Sequence, residues 1–490
     1  MDGKSLKSNT LSGLLWKLLE RFGVSGVQFV LQIILARLLS PEDYGVLSIM
    51  IIFTTLANVF IQNGFNTALI QGKDTTDEDY SSVFWLSLII SIITYLFLFL
   101  LAPLIGKFYN MPSIVSPFRV ISLMIIPGAL NSIQIAIVSK KMDFKKIFTS
   151  NLLSIILSGI IGIILAYLGM GVWSLVFQAL FNVLIASFVM WFTVKWRPLI
   201  LFDFVRVKKL FSYGWKLLVS SLLDTLYQDL SSLVIGKKYN SATLGFYNRG
   251  KQFPQFLINA INGSIQSVML PAMSSIQENK VIVKNMMRRS ITLSCYIIFP
   301  IMVGLAVVAE SIVKILLTDK WLLCVPYLQI FCFSFAFYPV HTCNLQTINA
   351  LGRSDIFLKL EIIKKIIGII LLCLAVFCFD SPIVIAMTGV ITTFTSSFIN
   401  AYPNRKLINY SYSEQIKDVI PNILLSLFMG IIIYPISLLK LNIFCVLFIQ
   451  IILGVVIYIL GSTLFKINSF YYILDILKGL LKIKMTKGED

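Results

Sequence analysis

The sequence predicts an all-α polytopic membrane protein with about fourteen transmembrane helices. Of its 490 residues, 57% are hydrophobic and only 13% are charged, and the mean hydropathy is +0.87. Apolar segments recur along the whole chain, and each is long enough to cross a bilayer, which takes about 20 residues. Soluble domains do not have this composition, so the chain is assigned to a membrane.

The expected spans divide the chain into two bundles and two additional helices. We expect pseudo-symmetric six-helix bundles at 1–205 and 206–410, transmembrane helices 13 and 14 at 411–466, and an amphipathic cytoplasmic tail at 467–490. The spans are expected at 12–39, 43–68, 81–106, 114–138, 148–169, 171–194, 210–236, 242–271, 287–309, 322–350, 357–379, 382–403, 416–438 and 442–465. Their even number places both termini on the same side of the membrane.

The charged residues divide unevenly between the two alternating sets of loops. Most of the 41 Lys and Arg residues fall in the set that contains both termini and the linkers 140–146 and 195–209. Cytoplasmic loops are the ones enriched in Lys and Arg, so both termini are predicted to be cytoplasmic. The net charge of +18 therefore reflects topology. No nucleic-acid partner is expected, because no basic patch is interleaved with exposed aromatic residues.

One loop, 71–80, breaks this trend with four acidic residues. Asp and Glu contribute little to topology, so a solvated loop is one interpretation. The other is a cytoplasmic gate that pairs with the basic loops.

The residue types needed for an enzyme or a metal site are sparse. The seven cysteines form no CxxC motif and lie in apolar segments, where we expect buried thiols. His341 is the single histidine, and no linker exceeds roughly twenty residues, so no catalytic group can be assembled from neighbouring loops. We expect neither an enzyme nor a resident metal or cofactor.

Polar residues follow one face of the first expected helix. Lys17, Arg21, Gln28 and Gln32 are spaced by four, seven and four, and Glu20 lies beside them. Charges inside a membrane span are costly, so this face is expected to contact protein or water and not lipid. The helix should end at Ser40, because Pro41 disfavours helical geometry in the residue before it.

The first hairpin is repeated 200 residues later. The segment 235–248, IGKKYNSATLGFYN, aligns with 35–48, LARLLSPEDYGVLS, and places Gly245 on Gly45. Six spans separate the two copies, so the halves are predicted to be parallel repeats with a site between them near the midplane.

Polar stripes occur on the equivalent helices of the two halves. One stripe contains Asn58, Gln62 and Asn66, a second contains Lys216, Asp224 and Tyr227, and a third contains Gln252, Gln255, Asn259 and Asn262. Hydrogen bonds between helices would explain any single amide. Together the stripes favour a hydrated central cavity.

Cations dominate the charge of this expected cavity. They are Lys17, Arg21, Lys216, Arg249 and Lys251, against Glu20, Asp224 and Asp229. Arg and Lys are the usual ligands of phosphate and carboxylate, so an anionic substrate is predicted, with internal ion pairing as the alternative. His341, with Asn344 one turn away, is either a core histidine or a proton relay.

Several segments resemble one family. LARLLSPEDYGVLS (35–48), LVIGKKYNSATLGFYNRGKQFPQ (233–255), VMLPAMSSIQ (268–277), LLTDKW (316–321) and INALGRSDIFLKLEIIKK (348–365) resemble the polysaccharide-biosynthesis flippases of the multidrug/oligosaccharidyl-lipid/polysaccharide exporter superfamily. The resemblance covers both halves. It is strongest to flippases for O-antigen, capsule, colanic-acid and teichuronic-acid repeat units.

The resemblance implies a function and a set of roles. A V-shaped pair of bundles would move an undecaprenyl-diphosphate-linked oligosaccharide from the cytoplasmic to the outer leaflet of a bacterial inner membrane by alternating access. Arg21 and Arg249, with Lys17 and Lys251, would engage the diphosphate or acidic sugars. Glu20 and Asp224 would couple transport to an H⁺ or Na⁺ gradient. Polysaccharide polymerase and assembly proteins are the implied partners, besides membrane lipid.

Three other functions stay open at this point. A drug or cation antiporter of the same superfamily would need a net acidic, aromatic-rich cavity. A membrane-bound polysaccharide polymerase or ligase would need a long outer loop. A scaffold of a polysaccharide-assembly complex would not need polar stripes on equivalent helices.

Overall fold

The structure is a computed structural model that describes residue 16, residues 23–62, 65–71, 75–439 and 441–475, and residue 478. Of the residues that the structure describes, 88% are helical and none lies in a strand. Ten described helices are long and apolar enough to cross a membrane. The predicted fold class, an all-α polytopic membrane protein, is confirmed.

The chain folds into two compact units, Met1–Asn248 and Arg249–Asp490. The helices of the first unit are α1 (Ser25–Leu38), α2 (Pro41–Gln62), α3 (Phe65–Gln71), α4 (Asp77–Phe108), α5 (Val115–Ser122), α6 (Ile125–Lys140), α7 (Phe144–Tyr167), α8 (Val172–Thr193) and α9 (Phe204–Lys238). Helix α9 packs against α2, α3 and α4 within this unit. The expected bundle boundary at 205/206 and the repeat of six helices stay predictions.

The long helix α10 (Ser241–Ser274) leads into the second unit. The remaining helices are α11 (Lys280–Val307), α12 (Ala309–Leu317), α13 (Val325–Ala336), α14 (Tyr338–Ala350), α15 (Ser354–Cys378), α16 (Pro382–Ile408), α17 (Tyr412–Ile433) and α18 (Ile443–Leu464). Helix α11 packs along α17, and α16 packs against α13, α14 and α15. The short helix α12 lies outside the expected spans.

Two expected spans are interrupted close to a proline. The span 114–138 contains α5 and α6, and the span 322–350 contains α13 and α14; Pro127 and Pro339 lie in the first turns of α6 and α14. Proline is tolerated in the first turn of a helix, where its missing N–H would have no intrahelical partner. Pro103 and Pro300, in contrast, lie inside continuous helices.

Four expected spans do not meet the criterion of length and hydropathy that the ten apolar helices meet. Helix α1 is short in its described part, and the long helices α9, α10 and α15 carry too many polar or charged residues to meet the same criterion. Three of these four, α1, α9 and α10, are helices for which the sequence predicts polar residues along one face, whereas Asn58 lies on α2, one of the ten apolar helices. The total of fourteen spans stays a prediction.

Four of the seven cysteines are buried, as expected, whereas Cys373, Cys378 and Cys445 are exposed. The expectation of buried thiols was wrong for these three, because apolar helices of a membrane protein also present residues on their outer surface. Cys378, for example, is adjacent to Phe377, which is 85% exposed.

Candidate functional site

The two repeated hairpins are in direct contact in the first unit. Helices α1 and α9 end at residues 38 and 238, and α2 and α10 begin at residues 41 and 241, so the repeat offset of 200 is reproduced by the helix limits. Each second helix has a polar residue at its N-terminus. Asp43 N donates to Ser40 Oγ (3.2 Å), and Thr243 N donates to Asn240 Oδ1 (2.8 Å).

Glycine permits the close approach of these helix starts. A Cβ atom added to Gly45 would overlap the carbonyl group of Ser241 and would lie 2.9 Å from its Cα atom. Reciprocally, a Cβ atom added to Gly245 would overlap the carbonyl oxygen of Pro41 and would lie 3.3 Å from the amide nitrogen of Gly45. Backbones can pack this closely only where no side chain intervenes. The equivalent glycines therefore define one symmetric contact, which we name the hairpin contact.

Helix α10 carries the third predicted polar stripe beside buried apolar residues. Leu244, Tyr247, Phe253, Ile258 and Met269 are buried. In the stripe, Gln252, Gln255 and Asn262 are half-buried, and Asn259 is exposed. Asn262 Oδ1 accepts a hydrogen bond from Thr342 Oγ1 (2.7 Å). The amides of the third stripe are therefore only partly enclosed.

The stripes of the first unit are less uniform. On α9, Asp224 is exposed and Tyr227 is half-buried. On α2 and α3, the side-chain oxygens of Asn58 and Asn66 are enclosed and accept no hydrogen bond from any residue that the structure describes. A buried polar atom without a partner is costly, so these oxygens are sites where a donor would be stabilising.

Arg249 is buried, with 4% of its surface exposed. Its Nη1 donates to Gln252 Oε1 (2.6 Å), and its guanidinium lies 5.2 Å from the ring centroid of the fully buried Trp321. The adjacent Gly250 packs tightly, since an added Cβ would lie 2.7 Å from Tyr327 Cβ. The structure therefore holds Arg249 against aromatic and amide groups of its own unit, beside the half-buried Lys251.

The other predicted site residues are either outside the described part of the chain or on α1. Lys17, Glu20 and Arg21 lie outside the described residues, as do the side chains of Gln62 and Lys216. On α1, Gln28 is exposed and Gln32 is half-buried. The expected cluster of five cations is thus described by the structure only for Arg249 and Lys251.

Asn344 belongs to a buried amide network in the second unit. Its Nδ2 donates to Gln415 Oε1 (2.9 Å), and its Oδ1 accepts from Asn404 Nδ2 (2.7 Å) and from Gln415 Nε2 (3.2 Å). All three residues are at most 1% exposed. On the same helices, Asn400 Nδ2 lies 3.2 Å from His341 Nδ1. This network ties α14 to α16 and α17.

Sequence reasoning missed Asn400, Asn404 and Gln415. The spacing of four between Asn400 and Asn404, which puts both on one face of α16, was an available signal. Partners on three separate helices, however, cannot be paired from a single sequence.

Ion pairs connect the acidic residues at the start of α4 to the first turn of α9. Arg206 contacts Glu78 Oε2 (2.5 Å), Asp79 Oδ1 (3.2 Å) and Asp203 Oδ2 (3.1 Å). Asp79 also forms a capping box with Thr76 at the start of α4. Glu78 and Asp79 of the acidic segment are therefore paired with Arg206 in the first unit, and the cytoplasmic gate stays a prediction.

An apolar groove runs along the membrane helices of the second unit. It has a volume of about 420 Å³ and is lined by residues of α10, α11, α12, α17 and α18, including Pro300, Gly304, Met429, Gly454 and Val455. A groove of this chemistry accommodates hydrocarbon.

These features define a multi-pass membrane transporter, with polar helix faces set among apolar spans. A sequence profile of the family described as "Polysaccharide biosynthesis protein" matches residues 34–326. The chain belongs to this family. The family resemblance predicted from the sequence is confirmed.

Curated relatives agree with this assignment. The chain is 23% identical to the teichuronic acid biosynthesis protein TuaB of Bacillus subtilis, over 89% of this chain and 90% of TuaB. It is 22% identical to the succinoglycan biosynthesis transport protein ExoT of Rhizobium meliloti, over 72% of this chain and 71% of ExoT. The prediction of a transport function in polysaccharide biosynthesis, and not of an enzyme, is confirmed.

A solved structure shows the same fold. The inward closed conformation of the lipid II flippase MurJ superposes with a TM-score of 0.73 at 19% sequence identity, covering 92% of this chain and 98% of MurJ.

Proposed function

We propose that the protein flips an undecaprenyl-diphosphate-linked oligosaccharide from the cytoplasmic to the outer leaflet of a bacterial inner membrane, with both termini cytoplasmic. The family assignment supports a role in polysaccharide biosynthesis, and the observation behind the proposal is the stripe of partly enclosed amides along α10. Amide side chains both donate and accept hydrogen bonds, which suits the hydroxyl groups of a sugar chain. A long stripe of such groups inside a membrane protein is costly unless it serves a polar substrate.

The cationic residues are proposed to engage the diphosphate. Lys17, Arg21, Lys216 and Lys251 are candidates for direct contact, because Lys and Arg are the usual phosphate ligands. Arg249 is buried against Trp321 and donates to Gln252, a member of the polar stripe. Its proposed role is to orient that stripe as well as to contribute positive charge.

The hairpin contact is proposed to be a gate of alternating access. Two backbones that meet through glycine alone have no interlocked side chains to separate, so such a contact can open without repacking a core. A substrate shifts the equilibrium between open and closed states only by its difference in affinity for the two. Binding at the cytoplasmic side must therefore be weakened when the gate opens.

The apolar groove is proposed to take the polyprenyl chain. The groove opens among bilayer-facing helices of the second unit, so a lipid tail can remain in hydrocarbon while the headgroup crosses. Coupling to an H⁺ or Na⁺ gradient through Glu20, Asp224 or His341 is part of the proposal, as is handover to polysaccharide polymerase or assembly proteins.

The test is a flipping assay in proteoliposomes with a fluorescent undecaprenyl-diphosphate oligosaccharide. The wild type is compared with Arg21→Ala, Gln255→Ala and Asn259→Ala, and with Arg405→Gln as a control for the loss of an exposed charge outside the site. Transport by the wild type and the control, with strong loss in the three variants, is the expected result. Transport that survives all three changes would reject the site but not the activity.

The same proteoliposomes test the alternative. Efflux of small organic cations without flipping of any lipid-linked sugar would assign the protein to the drug antiporters. The family assignment and the excess of cationic candidate residues favour the polysaccharide precursor.

A further inference from the structure

A second polar cavity lies at one end of the membrane helices of the second unit, apart from the polar face of α10. It has a volume of about 720 Å³ and lies among the start of α11, the start of α17 and the turn after α18. Its lining contains four cations, Arg288, Arg289, Lys417 and Lys466, and one carboxylate, Asp418. We name this cavity the basic pocket.

The single carboxylate is already engaged. Asp418 Oδ1 accepts from Arg288 Nη2 (2.5 Å), and its Oδ2 accepts from Tyr410 Oη (2.7 Å). The Asp418 side chain is only 8% exposed. Among the described residues, no carboxylate pairs with Arg289, Lys417 or Lys466, and all three are exposed. The pocket therefore has an excess of positive charge facing its opening.

The cations are held in place by local structure. The Arg289 guanidinium lies 3.3 Å from the ring centroid of Tyr472, a cation–π contact that orients it at the pocket wall. Lys466 has a φ of 51°, in the left-handed region, at the turn where Ile467 N donates to Ser462 O (3.0 Å). Glycine is the usual residue at this position of a helix end. A lysine there is strained, and such strain is often retained at functional positions.

The pocket lies where the lipid-facing surface ends. Its walls belong to three candidate membrane spans, Lys280–Val307, Tyr412–Leu438 and Ile443–Leu464. Exposed apolar side chains border it, among them Ile420 and Phe465. The distribution of Lys and Arg predicts that the linkers at this end of the helices are cytoplasmic.

We infer that the basic pocket binds a phosphate group, carried by the headgroup of an anionic phospholipid or by a soluble phosphate. Arg and Lys recognise phosphate through charge-assisted hydrogen bonds, and Asn468 and Ser469 line the same wall. Basic pockets between membrane helices at the cytoplasmic side have the chemistry that recognises anionic headgroups. The site is separate from the transport site proposed above, so it is tested by binding and not by transport.

The experiment uses the purified full-length protein and a variant that combines Arg289→Gln, Lys417→Gln and Lys466→Gly. The Lys466→Gly change removes the charge while favouring the left-handed turn, so the helix end is retained. The matched control combines Arg405→Gln and Lys406→Gln, which removes exposed cations from the end of α16 outside the pocket. Thermal unfolding confirms that both proteins are folded. Native mass spectrometry then measures binding of phosphatidylglycerol, phosphatidylcholine and inorganic phosphate.

The expected result is retention of phosphatidylglycerol by the wild type and the control, and a loss of about tenfold in its affinity in the pocket variant. Retention of phosphatidylglycerol without competition by inorganic phosphate would identify a lipid as the source of the group. Displacement of the lipid by millimolar phosphate would support the site and identify a soluble anion. Equal binding by the wild type and the pocket variant would overturn the inference, as would equal retention of phosphatidylcholine and phosphatidylglycerol by the wild type.

Discussion

Gly45 lies so close to Ser241 that a single added carbon atom would overlap the Ser241 carbonyl. The same relationship holds between Gly245 and Pro41, which are the equivalent positions with the two copies of the repeat exchanged. Two helix starts that are distant in sequence thus share one contact made by backbone. This symmetry gives the hairpin repeat a physical meaning, because both copies need the same residue for the same reason.

Adding a methyl group at this contact is the first prediction. Gly45→Ala is expected to destabilise the contact by about 1–3 kcal/mol, the usual cost of overpacking. Gly26→Ala is the matched control, since no atom lies within 4 Å of an added Cβ there. In a helix this control is expected to be neutral or to stabilise by up to about 1 kcal/mol. Thermal unfolding in detergent measures both, and equal melting temperatures for the two variants would reject the tight contact.

The amide network and the polar stripe are predicted to respond differently to mutation. Asn344→Ala leaves Gln415 and Asn404 without their partner in a buried site and is expected to cost about 1–3 kcal/mol of stability. Asn259→Ala removes an exposed amide and is expected to cost less stability than Asn344→Ala while reducing transport. Unfolding and flipping assays on both variants check this. Loss of stability in Asn259→Ala together with loss of transport in a stable Asn344→Ala would show that Asn259 is structural and that Asn344 serves transport.

Replacing Arg249 tests whether its shape or its charge matters. Lysine keeps the charge but loses the planar guanidinium that lies over Trp321 and donates to Gln252. Arg249→Lys is expected to lose about 1–2 kcal/mol of stability, which is the scale of a desolvated cation–π contact. Lys251→Arg, two residues beyond the buried guanidinium, is the control. A fully stable Arg249→Lys variant would show that charge alone suffices.

The ion pairs of Arg206 are predicted to depend on salt. Its partners Glu78, Asp79 and Asp203 lie on a solvent-accessible surface, where mobile ions screen charge. Arg206→Gln is expected to lower the melting temperature in dilute buffer, with a difference that shrinks in about 1 M NaCl, where the Debye length is about 3 Å. A difference that is independent of salt would show that packing of the side chain, and not charge, is responsible.

Part of the candidate site could be predicted from spacing alone. The stripe Gln252, Gln255, Asn259 and Asn262 follows the helical period, and in the structure its residues are half-buried or exposed along α10. The spacing of three between Glu361 and Lys364 likewise favours pairing within one helix, and Lys364 Nζ lies 2.5 Å from Glu361 Oε1. Both features depend only on residues three or four positions apart.

The sequence by itself determined the class of the protein, the approximate position of its helices and the repeated hairpin. These follow from hydropathy, from helical period and from proline and glycine, all of which act over a few residues. Only the tertiary structure decided which polar residues are enclosed. Asn344 and Asn259 are both asparagines on helices, yet one is fully buried in a network and the other is exposed. The difference arises because burial depends on which helices meet, and helices that pack against each other are distant in sequence.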